Sequence, residues 1–169
     1  MPALNIKDLG PCQVLWNNIN LGPTNGGVTF KEEQSSKDIM EDGHGETPVD
    51  AVTTGKKTSI EANFTRSSLT QLELMIESAT KGANNLKVVN SVGNAMFADA
   101  KELILKPLVD NVASAVTTEW LHVHRTYPLG APEFKFDNAG QRVIKVVFKV
   151  FPDDLSGQVG EIWRMGPAI

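Results

Sequence analysis

Four acidic residues and a histidine lie close together in the segment EDGHGETPVD, residues 41 to 50. His44 together with Asp42, Glu46 and Asp50 would offer imidazole and carboxylate ligands to a metal ion. A metal site needs ligands held rigidly at set distances, and the two glycines within this segment oppose that rigidity. A solvated or contact-forming loop is therefore the favoured interpretation.

A second pair of histidines, His122 and His124, is two residues apart on a predicted strand, so both side chains share one face. Two histidines on one face could bind a metal, but no third ligand is evident from the sequence. Leu121 and Val123 would occupy the buried face of this strand. We therefore predict that the two histidines lie on its outer face.

The usual signatures of catalysis are missing from the sequence: it has no GxSxG, GxxxxGK(S/T), HExxH or CxxC motif. Cys12 is interpreted as a small apolar filler, because nothing near it in the sequence would lower its pKa. Trp16, Trp120 and Trp163 lack interleaved Lys and Arg, which favours core or interface positions over base stacking. We therefore expect a protein that is not an enzyme and holds no cofactor or metal.

Length and charge narrow the class of protein further. The 169 residues fit one domain, and 16 Lys plus Arg against 20 Asp plus Glu give a net charge of −4, which disfavours tight nucleic-acid binding. A single cysteine forms no internal disulfide and the first ten residues lack a secretory pattern, so we expect synthesis in a reducing cytoplasm. No apolar run approaches the ~20 residues that span a bilayer, so we expect no membrane association.

The elements that position these residues are mostly strands. QVLW and INLG flank Asn17 and Asn18, and asparagine tolerates the positive φ of a two-residue hairpin turn. Alternating or apolar runs predict further strands at residues 27–36, 59–64, 86–92, 102–109, 119–127, 133–136 and 141–151, with a turn at 137–140 between the last two. The polar residues 41–55 are predicted to form a long irregular loop.

One α-helix interrupts this pattern. Ser68, followed three residues later by Gln71, matches a capping box, and Lys81 with Gly82 suits a helix end. The apolar stripe between these ends consists of Leu69, Leu72, Ile76 and Ala79. A helix of about three turns needs a sheet to pack on. We therefore predict that Leu69, Leu72 and Ile76 form the face that packs against the sheet.

Three stretches in this order resemble the tail tube proteins of tailed bacteriophages and their prophages. They are QVLWNNINLGPTNGGVTF, EDGHGETPVDAVTTGKKTSIEANFTRSSLTQLE and FKFDNAGQRVIKVVFKVFPDD, and the resemblance spans residues 8 to 154. The C-terminal tail, residues 155–169, does not match the pattern.

The resemblance implies a mainly β fold, an antiparallel β-sandwich or half-open barrel flanked by one α-helix, in a single domain over residues 1–169. It also implies a structural virion protein whose hexameric rings stack into a tail tube for DNA ejection. The tube would be assembled in the host bacterial cytoplasm and would end in the virion tail. Its partners would be other copies of the chain, tail-tip or baseplate proteins, a tail-terminator protein, a tape-measure protein, DNA passing through the lumen and, in some tails, a sheath.

In this family the long loop reaches neighbouring subunits or the adjacent ring, which assigns residues 41–55 to assembly. The residues expected to make these contacts are Glu41, Asp42, His44, Glu46, Thr47, Pro48, Val49 and Asp50. Alternatives of the same architecture are the tube of a contractile injection or secretion machine and a related tail-tip or tube-capping protein. A small hydrolase or metal-binding domain is the alternative of a different class.

Overall fold

The computed structural model describes residues 11–65, 68–133, 143–154 and 160–167. These residues form a mainly β structure with two short α-helices, α1 (Leu69–Met75) and α2 (Met96–Asp99). The strands are β1 (Cys12–Trp16), β2 (Ile19–Asn20), β3 (Thr24–Ile39), β4 (Asp50–Phe64), β5 (Ala79–Lys81), β6 (Leu86–Val88), β7 (Lys101–Val109), β8 (Val112–Ala113), β9 (Leu121–Glu133), β10 (Val143–Phe151) and β11 (Trp163–Met165). None of the helices in these ranges is long and apolar enough to cross a membrane.

The main sheet is antiparallel and follows the order β2-β1-β7-β9-β10-β4-β3. Its two end strands, β2 and β3, are consecutive in the chain and are joined only by residues 21–23. A link of this length spans at most roughly 14 Å, so the two ends of the sheet must approach each other and the sheet must curl. The predicted mainly β fold is confirmed, and this curled sheet is consistent with a half-open barrel or sandwich flanked by a helix.

The concave side of the sheet holds the hydrophobic core. Its most buried side chains come from five strands and from α1, and they include Val14, Ile60, Phe64, Met75, Leu103, Val123, Val146 and Phe148. The strand β10 shows the predicted alternation, because Ile144, Val146 and Phe148 are buried while Lys145 and Lys149 are exposed.

The first hairpin is confirmed. Asn17 and Asn18 form its turn with φ angles of 51° and 61°, and Leu15 and Trp16 pair with Asn20 and Ile19. These positive φ angles match a type I′ turn, whose twist agrees with that of the flanking strands.

The capping box at the start of α1 is also confirmed. The Gln71 backbone N–H donates to the Ser68 hydroxyl, and the Ser68 N–H donates to Gln71 Oε1 at 2.8 Å. The predicted length of about three turns is wrong, because α1 ends at Met75 and Ile76 is already extended. Ser78, with φ 56°, turns the chain so that Ala79 begins β5. The apolar spacing that continues to Ala79 therefore belongs to a strand.

The prediction of an irregular loop over residues 41–55 is wrong in its second half. Residues 50–55 belong to β4 and pair with the outer part of β3, from Ser35↔Gly55 to Ile39↔Asp50. The strand β3 likewise extends to Ile39, beyond the predicted end at residue 36. The outer hairpin is exposed on both faces, so it lacks the apolar alternation by which a half-buried strand is recognised.

Two other strand predictions need correction. The segment 86–92 is strand only over Leu86–Val88, because its partner β5 begins at Ala79 and offers no residue beyond the Ala79↔Val88 pair. The strand β9 continues through Pro128 and Pro132 to Glu133, instead of ending at residue 127. From Tyr127 to Glu133 the described neighbour of β9 is β10 alone, and an edge position of this kind tolerates proline.

Some predicted segments lie outside the described residues, and some observed elements were not predicted. The turn predicted at 137–140 and most of the strand predicted at 133–136 lie outside the described residues. The short helix α2 has no apolar periodicity and was not predicted. Within the tail that matched no pattern, β11 pairs with the first residues of β9.

Candidate functional site

The most distinctive surface is the outer part of the β3–β4 hairpin, residues 33–57, which we call the arm. Every residue of the arm is exposed, whereas Thr58, directly after it, is buried. The paired part of the arm extends for roughly 25 Å at the rise of an antiparallel strand, and the turn adds to this length. The arm therefore projects from the body without contributing to its core.

The arm has two open strand edges within the described part of the chain. The strand β3 is the last strand of the sheet, and β4 pairs with β10 only over Ser59–Phe64. Backbone N–H and C=O groups along both edges of the arm are thus available to another chain.

A cluster of side chains from distant parts of the sequence fixes the base of the arm. The Trp163 indole N–H donates to Glu32 Oε2 at 2.6 Å, and the Trp163 ring meets the edge of Phe30 with ring centroids 5.5 Å apart. Lys56 Nζ lies 2.9 Å from the other Glu32 oxygen. These contacts, Trp163 first and Lys56 second, lower the pKa of Glu32 and keep it ionised. The strand β11 thereby contacts the base of the arm.

The end of the arm, residues 38–52, which we call the tip, is built around a compact turn. Residues Asp42–His44 form a 3₁₀ turn after Glu41, and Gly45 follows with φ 63°. The Val49 N–H donates to the Ile39 carbonyl at 2.9 Å and closes the turn. The tip is acidic, because no Lys or Arg lies between residues 38 and 55; its acidic residues are Asp38, Glu41, Asp42, Glu46 and Asp50.

Apolar side chains accompany these acids at the end of the arm. Ile39, Met40, Val49 and Val52 are all exposed, with Met40 at 51%. Four exposed large apolar side chains on a projecting element form an unusual surface for a chain on its own, and such a cluster is typical of a contact surface.

The structure brings all eight predicted contact residues, from Glu41 to Asp50, together in this tip. His44 Nδ1 is 3.7 Å from a Glu41 carboxylate oxygen. In the described ranges no group of three or more His, Cys, Asp or Glu is arranged to hold a metal ion. The tip therefore offers a charged and apolar contact surface.

The predicted helix face lies on the body, away from the arm. Ile76 is buried and Leu72 packs against the core, while Leu69 is half-buried. The C-terminal end of α1 packs closely against Gly130 of β9. A Cβ added at Gly130 would lie 2.3 Å from the Met75 carbonyl oxygen. The helix thus covers the core and takes no part in the arm.

The prediction for the β9 histidines is wrong about their surroundings. Val123 is buried as expected, but the opposite face is covered as well, and His122 and His124 are largely buried. His122 Nδ1 lies 2.8 Å from Glu102 Oε1, and His124 Nε2 lies 3.2 Å from Glu161 Oε1. Each histidine meets a different carboxylate, and Glu161 also accepts two hydrogen bonds from Arg164, at 2.7 and 2.6 Å.

Two cavities of the body adjoin a tyrosine or a cysteine side chain. One of about 190 Å³ lies beside α1 and contains Tyr127, whose pKa is raised by burial and by the negative charges of Glu77 and Asp99. Another of about 400 Å³ contains Cys12, and burial raises the pKa of this thiol to about 11. A thiol with such a pKa is a poor nucleophile near neutral pH.

Sequence reasoning missed the cluster at the base of the arm. Glu32 and Trp163 are 131 positions apart, and neither belongs to a local motif. The available signal in the sequence was the single tryptophan, Trp163, in the tail that matched no pattern.

Comparison with known proteins adds no identification: no family model matches the chain, and no curated protein matches it.

Proposed function

We propose that this chain is the tail tube subunit of a tailed bacteriophage, a structural virion protein that forms stacked hexameric rings. The observation that supports the proposal best is the arm, which is anchored at Glu32 and Trp163 and exposed over residues 33–57. Open strand edges and exposed apolar side chains are a liability on an isolated chain, and proteins usually cover them or use them in assembly.

The curled sheet supports the same proposal. An open β-barrel keeps unpaired edges, and joining copies around a closed ring removes edges that a single chain cannot close. The order of the elements over residues 8 to 154 resembles that of tail tube proteins, and the number of six copies comes from this resemblance. In the proposed assembly the body forms the ring wall and the arm reaches another copy.

The charge of the chain suits a conduit for DNA. Each Lys or Arg that contacts phosphate adds affinity through counterion release, whereas acidic residues add a mild repulsion screened over about 10 Å. The net charge is −4, so six copies would carry −24. In this proposal DNA and a tape-measure protein pass through the lumen, and tail-tip, baseplate and terminator proteins bind the ends of the tube.

Removing the arm tests the proposal without touching the core. Glu32 pairs directly with Thr58, so an Asn-Gly turn can replace residues 33–57 and join these two positions as a type I′ hairpin. Because every removed residue is exposed, we expect the shortened chain to melt within a few degrees of wild type. It should form no stacked tubes when concentrated, as seen by negative-stain electron microscopy.

The wild-type chain and a His44→Ala variant serve as controls, and both should form tubes. Tubes of normal length from the armless chain would contradict the assembly role of the arm. A wild-type chain that forms neither rings nor tubes, alone or with tail-tip components, would contradict the proposed function itself.

A further inference from the structure

The segment Leu86–Val92, which we call the receptor segment, has the properties of a surface that lacks a partner. Val88 and Val92 are 55% and 93% exposed, and Val89 is exposed as well. Strand structure stops at Val88 because β5 offers no further residue, although the sequence from 86 to 92 is rich in β-branched side chains.

The receptor segment also borders a shallow cavity. A space of about 290 Å³ lies next to it and is lined by Glu77, Ser78, Val88, Val89, Asn90 and Ser91. The Val89 N–H donates to the Ser78 carbonyl at 3.2 Å, and the hydroxyls of Ser78 and Ser91 hydrogen-bond. These bonds hold the segment in place, so the valine side chains stand on a defined surface.

The stretch of sequence that contains the receptor segment has a positive net charge. No Asp or Glu lies between Glu77 and Asp99, whereas Lys81 and Lys87 do, and both lysines are exposed. Glu77 stands at one side of the cavity, and the Glu73 carboxylate accepts a hydrogen bond from the Lys81 backbone N–H at 2.9 Å. Lys87 is therefore the charge placed closest in sequence to the exposed valines.

The tip of the arm is the complement of this surface. It carries exposed apolar side chains among five acidic residues with no Lys or Arg, and the receptor segment carries exposed valines beside Lys87, with Glu77 at the edge of the neighbouring cavity. Among the other exposed valines of the described residues, Val109 and Val112 flank Asp110 and Asn111 in the sequence, and a contact there would place an acid against the acidic tip. Like charges in contact oppose association.

We propose that the receptor segment of one copy is the docking surface for the arm tip of a second copy. Met40, Val49 and their neighbours would cover Val88, Val89 and Val92, and the acids of the tip would face Lys87. The tip and the receptor segment are different surfaces of one chain, so the contact is head-to-tail and repeats from copy to copy. This inference rests on the proposed function and names the surface that the arm binds.

One such contact is small, because it joins a hairpin end to a seven-residue segment. Interfaces of this size are weak on their own, and many copies in a polymer make them effective together. The contact should therefore be captured by cross-linking in concentrated protein more readily than by the isolation of a dimer.

Disulfide trapping between two variants that each carry one introduced cysteine tests the contact directly. Chains with Met40→Cys and chains of different mass with Val92→Cys are mixed at high concentration and oxidised, and the mixed dimer is quantified. The control pair is Met40→Cys with Val112→Cys, because Val112 is also well exposed, at 68%. Cys12 stays in place, since its thiol has a pKa raised to about 11 and the wild-type chain reports its background.

We expect the Met40→Cys and Val92→Cys pair to give a several-fold excess of mixed dimer over the control pair. Equal yields from the two pairs would overturn the docking surface. A higher yield from the control pair than from the Met40→Cys and Val92→Cys pair would place the tip elsewhere and would also overturn it.

Charge exchange supplies an independent test in the assembled state. Lys87→Glu should raise the concentration at which polymer first appears by about two- to five-fold, the effect of losing one exposed ion pair. Adding Asp42→Lys to the same chain should restore much of the loss. Lys149→Glu, an exposed lysine on β10, is the matched control for net charge.

The outcomes separate this inference from the proposed function. Tubes that form equally well from wild type, Lys87→Glu and Val92→Asp would refute the docking surface and leave the tail tube proposal standing. A wild-type chain that never assembles would refute both.

Discussion

The close approach of α1 to β9 at Gly130 leads to a quantitative prediction for Gly130→Ala. A Cβ at this position would lie 2.3 Å from the carbonyl oxygen of Met75 and 3.0 Å from its carbonyl carbon. Both atoms belong to backbone, so a rotamer change cannot relieve the clash. The end of α1 must move away from the sheet by roughly 1 Å, and Met75 and Ile76, which are buried there, must move with it.

The cost of this displacement follows from experience with overfilled cores. Inserting a methyl group into a well-packed site typically costs about 1–3 kcal/mol, occasionally more. In a domain of this size 1 kcal/mol corresponds to roughly 2–4 °C in Tm, so we expect Gly130→Ala to melt about 2–12 °C below wild type.

The assay is thermal and urea unfolding of the isolated subunit, with Gly55→Ala as the matched control. Gly55 lies in the arm, and a Cβ there would meet nothing within 4 Å. Gly55→Ala should therefore leave Tm unchanged or slightly raised, since it reduces the entropy of the unfolded chain. If Gly130→Ala and Gly55→Ala have the same Tm, then α1 does not pack on β9 in the way described.

Further predictions concern the helix, the C-terminal strand and the tip. Ile76→Ala should lower the free energy of unfolding by roughly 2–4 kcal/mol because Ile76 is buried. Leu69→Ala should lower it by less, because Leu69 is only half-buried. Similar urea midpoints for the two variants would contradict this packing. Hydrogen bonds from Arg164 lower the pKa of Glu161, so its stabilising contribution is present above the ordinary carboxyl pKa of 4.5 and is lost as pH falls through the folded-state value. The decline in Tm below pH 4.5 should accordingly be shallower in Glu161→Gln, and an identical decline would contradict the role of this carboxylate. His44→Ala should leave both Tm and tube formation close to wild type because its side chain is exposed at the tip, and a collapse of the fold would instead indicate a metal site.

The sequence correctly predicted the elements that depend only on a few neighbouring residues. The asparagine turn at Asn17 and Asn18 and the capping box at Ser68 depend on a few neighbouring residues, and both were predicted correctly. The alternation in β10 was readable for the same reason, because burial of one face of a strand imposes a period of two on the sequence. The acidic, glycine-bearing tip was also visible as a contact candidate from composition alone.

Tertiary structure decided the features that depend on distant neighbours. The arm is a paired hairpin because β3 and β4 satisfy each other's backbone groups, and an element exposed on both faces needs no apolar period to do so. The stripe from Leu69 to Ala79 has helical spacing, but Ser78 turns the chain into β5, which pairs with β6.

Glu32 and Trp163 meet at the base of the arm because the curled sheet brings the C-terminal strand β11 close to β3. A contact across 131 positions leaves no periodic trace in the chain, since periodicity records only which face of an element is buried. The sequence alone therefore determined the first hairpin, the helix cap, the alternation of β10 and the acidic composition of the tip, and the curl of the sheet decided where the arm is anchored and what it exposes.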